Sequence, residues 1–211
     1  MGAITRALAN NITTGGVITS SGINNSSLSS VTDLPTGVGG SMVLLNSGTI
    51  SSATAVEFNS TYITDTYKFY DLHLSFYTAA NFQCYIQTST DNGSSYAGSA
   101  SDYAWVFGHT GTQGGFASIF DQDDTAMIVG DSISDGAGFG WNGRIRIMNP
   151  TDSTRATTIQ SLATGFHETN DDIKQLLSFG RRQAAEDNNA IRFTSSQTMT
   201  AGSYALYGIK R

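Results

Sequence analysis

From Ser41 onward the chain alternates short apolar runs with clusters of Gly, Asn, Asp and Ser. The run "TYKFYDLHLSFYT" (66–78) sets Tyr67, Phe69, Asp71 and His73 against Lys68, Tyr70, Leu72 and Leu74, a period of two with room for a bulge midway. The same texture recurs in "SMVLLN" (41–46), "TAVEFN" (54–59), "NFQCYIQTS" (81–89), "DYAWVFG" (102–108) and "FASIF" (116–120). It continues in "AMIVG" (126–130), "GRIRIMN" (143–149), "RATTIQSLATGFHE" (155–168), "AIRFTSS" (190–196) and "SYALYGIK" (203–210). Such β-branched and aromatic residues suit a pleated, half-buried surface, and the breakers between them end each run early. "DDIKQLLSFGRRQAAED" competes as a helix through Ile173, Leu176 and Leu177, but Gly180 and the Ser and Phe content favour a strand. Asn92-Gly93 in "TDNGSSY" is a hairpin signal, because both residues accept positive φ. Roughly ten to twelve short strands at regular spacing predict an all-β fold, a jelly-roll-like β-sandwich over residues 41–211.

Residues 1–40 have a different pattern. In "NNITTGGVITSSGINNSSLSSVTDLPTGVGG" isolated apolar residues are spaced through small polar ones, and they cannot form a core by themselves. "AITRALA" is long enough for about two helical turns, which are marginal alone. Pro35 with Gly37, Gly39 and Gly40 marks the junction. A segment without a core orders by lying on another surface. Residues 1–40 therefore read as an extended assembly arm whose contacts are Ile4, Leu8, Ile12, Val17, Ile18, Ile23 and Leu28.

Composition narrows the partners. Only 13% of the 211 residues are charged, about half the usual share, while Gly reaches 23 and Pro only 2. A polar but weakly charged surface suits packing against other protein chains better than a free monomer. A net charge of -6 and a pI near 4.8 argue against nucleic acid, whose phosphates need a basic patch. No apolar stretch approaches the roughly 18 residues of a membrane helix, so no membrane partner is expected. The start "MGAITRALANNITTGG" lacks an apolar leader. Cys84 is the only cysteine, which excludes an intrachain disulfide and reads as a small buried hydrophobe. Together these features predict synthesis in a reducing cytoplasm, with the sequons at Asn11, Asn25 and Asn59 as by-products of composition.

The candidate chemistry is thin. "GDSI" (130–133) resembles the nucleophile block of the GDSL esterases and lipases, with Ser132 as nucleophile. That family needs a helix after the serine, a later Gly-x-Asn-Asp block and an Asp-x-x-His block. Here "ISDGAGFG" is a poor helix, Asn170-Asp171 lacks its glycine, and Thr164 stands three residues before His167. A serine without a positioned base is a weak nucleophile, so the motif reads as a polar loop after strand 126–130. "FDQDDT" gathers Asp121, Asp123 and Asp124 but lacks the closing Glu of a calcium loop, and reads as a solvated turn. "HETNDD" (167–172) has Asp171 where a zinc-binding pair needs its second histidine, and reads as a structural loop. "GHTGTQGG" (108–115) lacks the Lys-Ser/Thr of a phosphate loop, and His73 and His109 read as packing residues. No catalytic residue, metal or cofactor is expected. Among the aromatics, Tyr96, Tyr103 and Trp141 lie near turns and are candidates for a surface contact, either with protein or stacked on a sugar.

The arm "ITRALANNITTGGVITSSGINNSSLSSVTDLPTGVGGSMVLL", the piece "IQTSTDNGSSY" and the closing "YALYGIKR" resemble virion structural proteins of tailed bacteriophages, particularly marine and cyanobacterial ones. The resemblance rests on turns and strand endings and carries no catalytic residues. It implies a β-rich, non-enzymatic virion component, commonly a homotrimer. The arm would hold it to other virion proteins, and it would serve as a tail-fibre, tail-associated or capsid-decoration protein. The alternative is a carbohydrate-binding or host-receptor-binding tip that recognises host surface glycan.

Overall fold

The computed structural model describes residues 42–111, 115–136, 138, 140–167 and 172–209. Within them run ten strands: β1 (Met42–Phe58), β2 (Phe69–Thr78), β3 (Phe82–Ser89), β4 (Tyr103–Gly111) and β5 (Phe116–Asp124), then β6 (Met127–Ile133), β7 (Trp141–Met148), β8 (Thr158–Phe166), β9 (Ile173–Arg182) and β10 (Ala190–Ile209). No helix occurs among the described residues. The segment contested between helix and strand is β9, with Lys174, Leu176 and Ser178 inward and Ile173, Gln175 and Phe179 outward. That is the side-chain alternation of a strand.

Every pairing is antiparallel, in the order β5-β4-β9-β8-β7-β2-β10-β3-β6, with β1 joined to β10. The path folds over, so that β6, at one end, lies across β9, β4 and β8 near the other. The Ser178 hydroxyl donates to the Ile128 carbonyl at 2.5 Å, and Ser134 N–H donates to the Phe166 carbonyl at 2.8 Å. A single bridge between Ile133 and His167 continues that seam. The sandwich-like all-β class expected from the sequence is the one the chain adopts.

Two pairs of expected strands prove to be single long ones. Residues 42–46 and 54–58 of two such runs belong to β1, which absorbs its polar middle through register shifts between Leu44 and Asn46 and between Ala53 and Ala55. The run 190–196 and residues 203–209 of the later run belong to β10, which pairs first with β3 and then with β2, and with β1 on both sides of a break between Thr194 and Met199. Gly202 permits the second pairing, because a Cβ there would collide with the Ser75 carbonyl. The hairpin expected at Asn92-Gly93 is also corrected. Both residues do have positive φ, 63° and 84°, but β3 pairs with β10 and β6, and β4 with β5 and β9. The turn therefore carries the chain between strands that are not neighbours.

Between the layers lie Tyr70, Leu72, Phe76, Phe82, Ile86, Phe107, Val129, Trp141, Ile145 and Phe193, all essentially shut off from solvent. Trp141 stacks on Phe76 at 6.2 Å and tilts against Phe193 at 5.7 Å, and its indole N–H donates to the Val129 carbonyl at 3.4 Å. Cys84 is buried among them as expected, and burial pushes its thiol pKa well up. Asp71 is buried too, and Arg146 grips both its oxygens at 2.8 and 2.7 Å.

Candidate functional site

Strands β5, β4, β9 and β8 lie side by side, and their outer face carries exposed apolar side chains among polar ones. Cross-strand register places Phe120, Val106, Phe179 and Gln160 in one row. The next row holds Ser118, Gly108, Leu177 and Leu162. Phe116, from the third row, lays its ring over Gly108, where any side chain would strike it. The exposures are large for apolar groups: Phe120 73%, Phe116 63%, Phe179 47%, Leu162 45% and Val106 44%. Along the Phe120 row runs an open groove of about 590 Å³ that also touches Asp121, Gln122 and Arg181. Contiguous apolar patches of this kind mark surfaces that pack on another macromolecule.

The candidate was legible in one respect that periodicity alone missed. An antiparallel sheet with one wet face reads as clean alternation. Trp105-Val106-Phe107 in β4 and Leu176-Leu177 in β9 break that rule by being apolar on both faces. A strand apolar on both faces needs a cover on both.

A second site is polar. A cleft of about 310 Å³ is lined by Ser95, Tyr96, Asp102, Arg182, Glu186 and Asn188, among others. Arg182 donates to the Asp102 carboxylate at 2.8 Å and to Glu186 at 3.4 Å, and lies 5.6 Å from the centre of the Tyr103 ring. Its Nε and the Asn188 Oδ1 are buried without a hydrogen-bond partner among the described residues. Asp91 shapes the neighbouring loop by accepting from Ser89 Oγ at 2.7 Å, Ser95 N–H at 2.9 Å and Ser95 Oγ at 2.6 Å. These bonds, that from Ser89 foremost, lower the Asp91 pKa to about 2.

Of the three aromatics expected at the surface, only Tyr96 is partly exposed. The Arg192 guanidinium sits 4.2 Å from the centre of its ring, and burial, with the Glu57 charge second, raises its pKa to about 12. Tyr103 and Trp141 are fully buried, so the expected surface role is corrected for both. Tyr103 accepts from Thr88 N–H at 2.7 Å, and Trp141 is the centre of the core. A bulky ring with one polar atom satisfied inside gains more from burial than from water. The expected arm contacts Ile4, Leu8, Ile12, Val17, Ile18, Ile23 and Leu28 lie outside the described residues.

The catalytic and metal-like motifs also change place. "GDSI" lies within β6 and not in a loop, and Ser132 takes φ 51° at a bend of that strand. Lys174, itself buried, donates to the main-chain carbonyls of Ser132 at 3.2 Å and Asp131 at 3.4 Å. Asp121, Asp123 and Asp124 lie in β5 and not in a free turn, with Trp105 Nε1 donating to Asp124 at 2.9 Å. No cluster of metal-capable side chains occurs among the described residues. His73 meets Tyr207 edge-on at 5.4 Å, and His109, in β4, has its pKa lowered by burial and then by the Lys174 charge. "HETNDD" is described only at His167 and Asp172. Comparison with protein-family models, with curated proteins and with solved structures returns no match.

Proposed function

We propose that this protein is a non-enzymatic structural subunit of a larger assembly that packs on its neighbours through the outer face of β5, β4, β9 and β8. The observation that carries this reading is the Phe120-Val106-Phe179 row, exposed where the core aromatics are sealed. Low charge supports it from the sequence side, since little repulsion opposes close packing. The resemblance to bacteriophage virion proteins supplies the setting: a particle component, made in the host cytoplasm, joined to other virion proteins by residues 1–40. Light scattering on the full chain at micromolar concentration tests it. A multimeric mass supports the reading, and a monomer counts against it.

The polar cleft favours a second reading as a host-glycan-binding tip. Tyr96 offers part of a ring, and the Glu186 carboxylate, 37% exposed, offers an acceptor that sugar hydroxyls use. A glycan array with a Glu186→Ala control tests it.

A further inference from the structure

We infer that two copies of this chain join edge to edge through residues 116–120 of β5, antiparallel about a two-fold axis at Ser118. The inference rests on the reading of this region as a docking surface and names its partner, a second copy.

Strand β5 ends the sheet path, and among the described residues it pairs with β4 alone. Its other edge presents unpaired main-chain N–H and C=O groups, a template for a further strand. Native edges of this kind are normally guarded by charge or by a bulge. Here the guard covers only the far end. The register with β4 shifts between Trp105↔Asp121 and Tyr103↔Asp124, and three aspartates occupy that stretch. "FASIF" carries no charge, no proline and no register shift.

The five residues are self-complementary. An axis at Ser118 sets Phe116 opposite Phe120 of the second copy, Ala117 opposite Ile119, and Ser118 opposite itself. Phe116, Ser118 and Phe120 share the outer face, so two phenylalanine pairs would flank the axis there. Asp121 falls opposite Gly115, and no aspartate faces an aspartate. An axis at Phe120 would pair the same strand over its whole length, but across its own bulge and with acids set against Ile119, Ala117 and Phe116. The apolar axis at Ser118 therefore wins. Strand addition draws affinity from main-chain hydrogen bonds and specificity from alternate side chains. It also joins the two outer faces into one, the surface offered to the rest of the assembly. Two-fold pairing gives an even-numbered order, where the phage resemblance implies a trimer.

Single-cysteine cross-linking tests the register, because Cys84 is buried and does not compete. Directly opposed residues have Cα atoms about 4.5–5.5 Å apart, within the reach of a disulfide. On mild oxidation of the full chain, Ser118→Cys should give a covalent dimer as the main product. Ala117→Cys and Phe120→Cys should each remain at least ten-fold less linked, and Phe116→Cys combined with Phe120→Cys should restore the dimer. Ser118→Lys, which sets two cations face to face, should halve the mass measured by light scattering. A multimeric chain in which Ser118→Cys links no better than Ala117→Cys overturns the edge pairing and leaves the assembly reading standing. A monomeric wild type overturns both.

Discussion

Two groups of aromatic residues in this chain share a chemistry and differ in fate. Trp141, Phe76 and Phe193 meet within about 6 Å of one another and none is more than 3% exposed. Phe120, Phe116 and Phe179, on the outer face of the β5 end, are between 47% and 73% exposed. Both groups stand on strands of the same sheet, so hydrophobicity alone does not decide which is core. Position decides. The first group faces the layer made when β6 folds back over β9, β4 and β8, while among the described residues nothing covers the second. The inner aromatics are sealed in the core, and the outer ones stay exposed.

Substitutions should separate these roles. Trp141→Ala removes the largest sealed side chain, and unfolding by denaturant should show a loss of about 3–5 kcal/mol. Should the variant not fold, Phe193→Leu gives a smaller loss of the same kind. Arg146→Ala leaves the Asp71 carboxylate buried without its ion pair. Because the Arg146 side chain is 36% exposed, the expected cost is about 2 kcal/mol, below that of a fully buried pair. Phe179→Ser on the outer face should alter stability by only about 0.5 kcal/mol, while lowering the mass of the assembled species.

The smallest effect concerns the loop held by Asp91. Its carboxyl ionises at about 2 in the folded chain, below the usual carboxylate range. The stabilisation from its hydrogen bonds is thus fully present above the unfolded value near 3.8, and is lost as pH falls toward about 2. An NMR titration should place the Asp91 midpoint near 2, and Asp91→Asn should remove that acid limb without changing behaviour at neutral pH.

Much of the fold was legible in the sequence because strands are local. Period two and the breaker clusters located nearly every strand, including β9 against its helical rival. Partners were not legible, since β10 pairs with residues more than a hundred positions away, such as Gln87 with Arg192. For the same reason the Asn92-Gly93 turn looked like a hairpin. The site was less legible than the fold. Tyr103 and Trp141 stand beside turns, where sequence cannot tell a ring that points inward from one that points out. The exposed apolar face was written in Val106 and Leu177, apolar residues on the wrong parity, yet alternation arguments assign only one face to the core. Asp121 and its neighbours misled in the other direction, because acids in a row look like a turn even when they close an edge strand.

On the proposed function the outer face serves assembly and not folding. The most direct test compares mass and thermal midpoint for wild type and a Val106→Ser, Phe179→Ser double variant at equal concentration. A smaller assembled mass is expected for the variant, with the midpoint of the dissociated subunit within a few degrees of wild type. An unchanged mass, or a collapse of stability as large as that of Trp141→Ala, would contradict it.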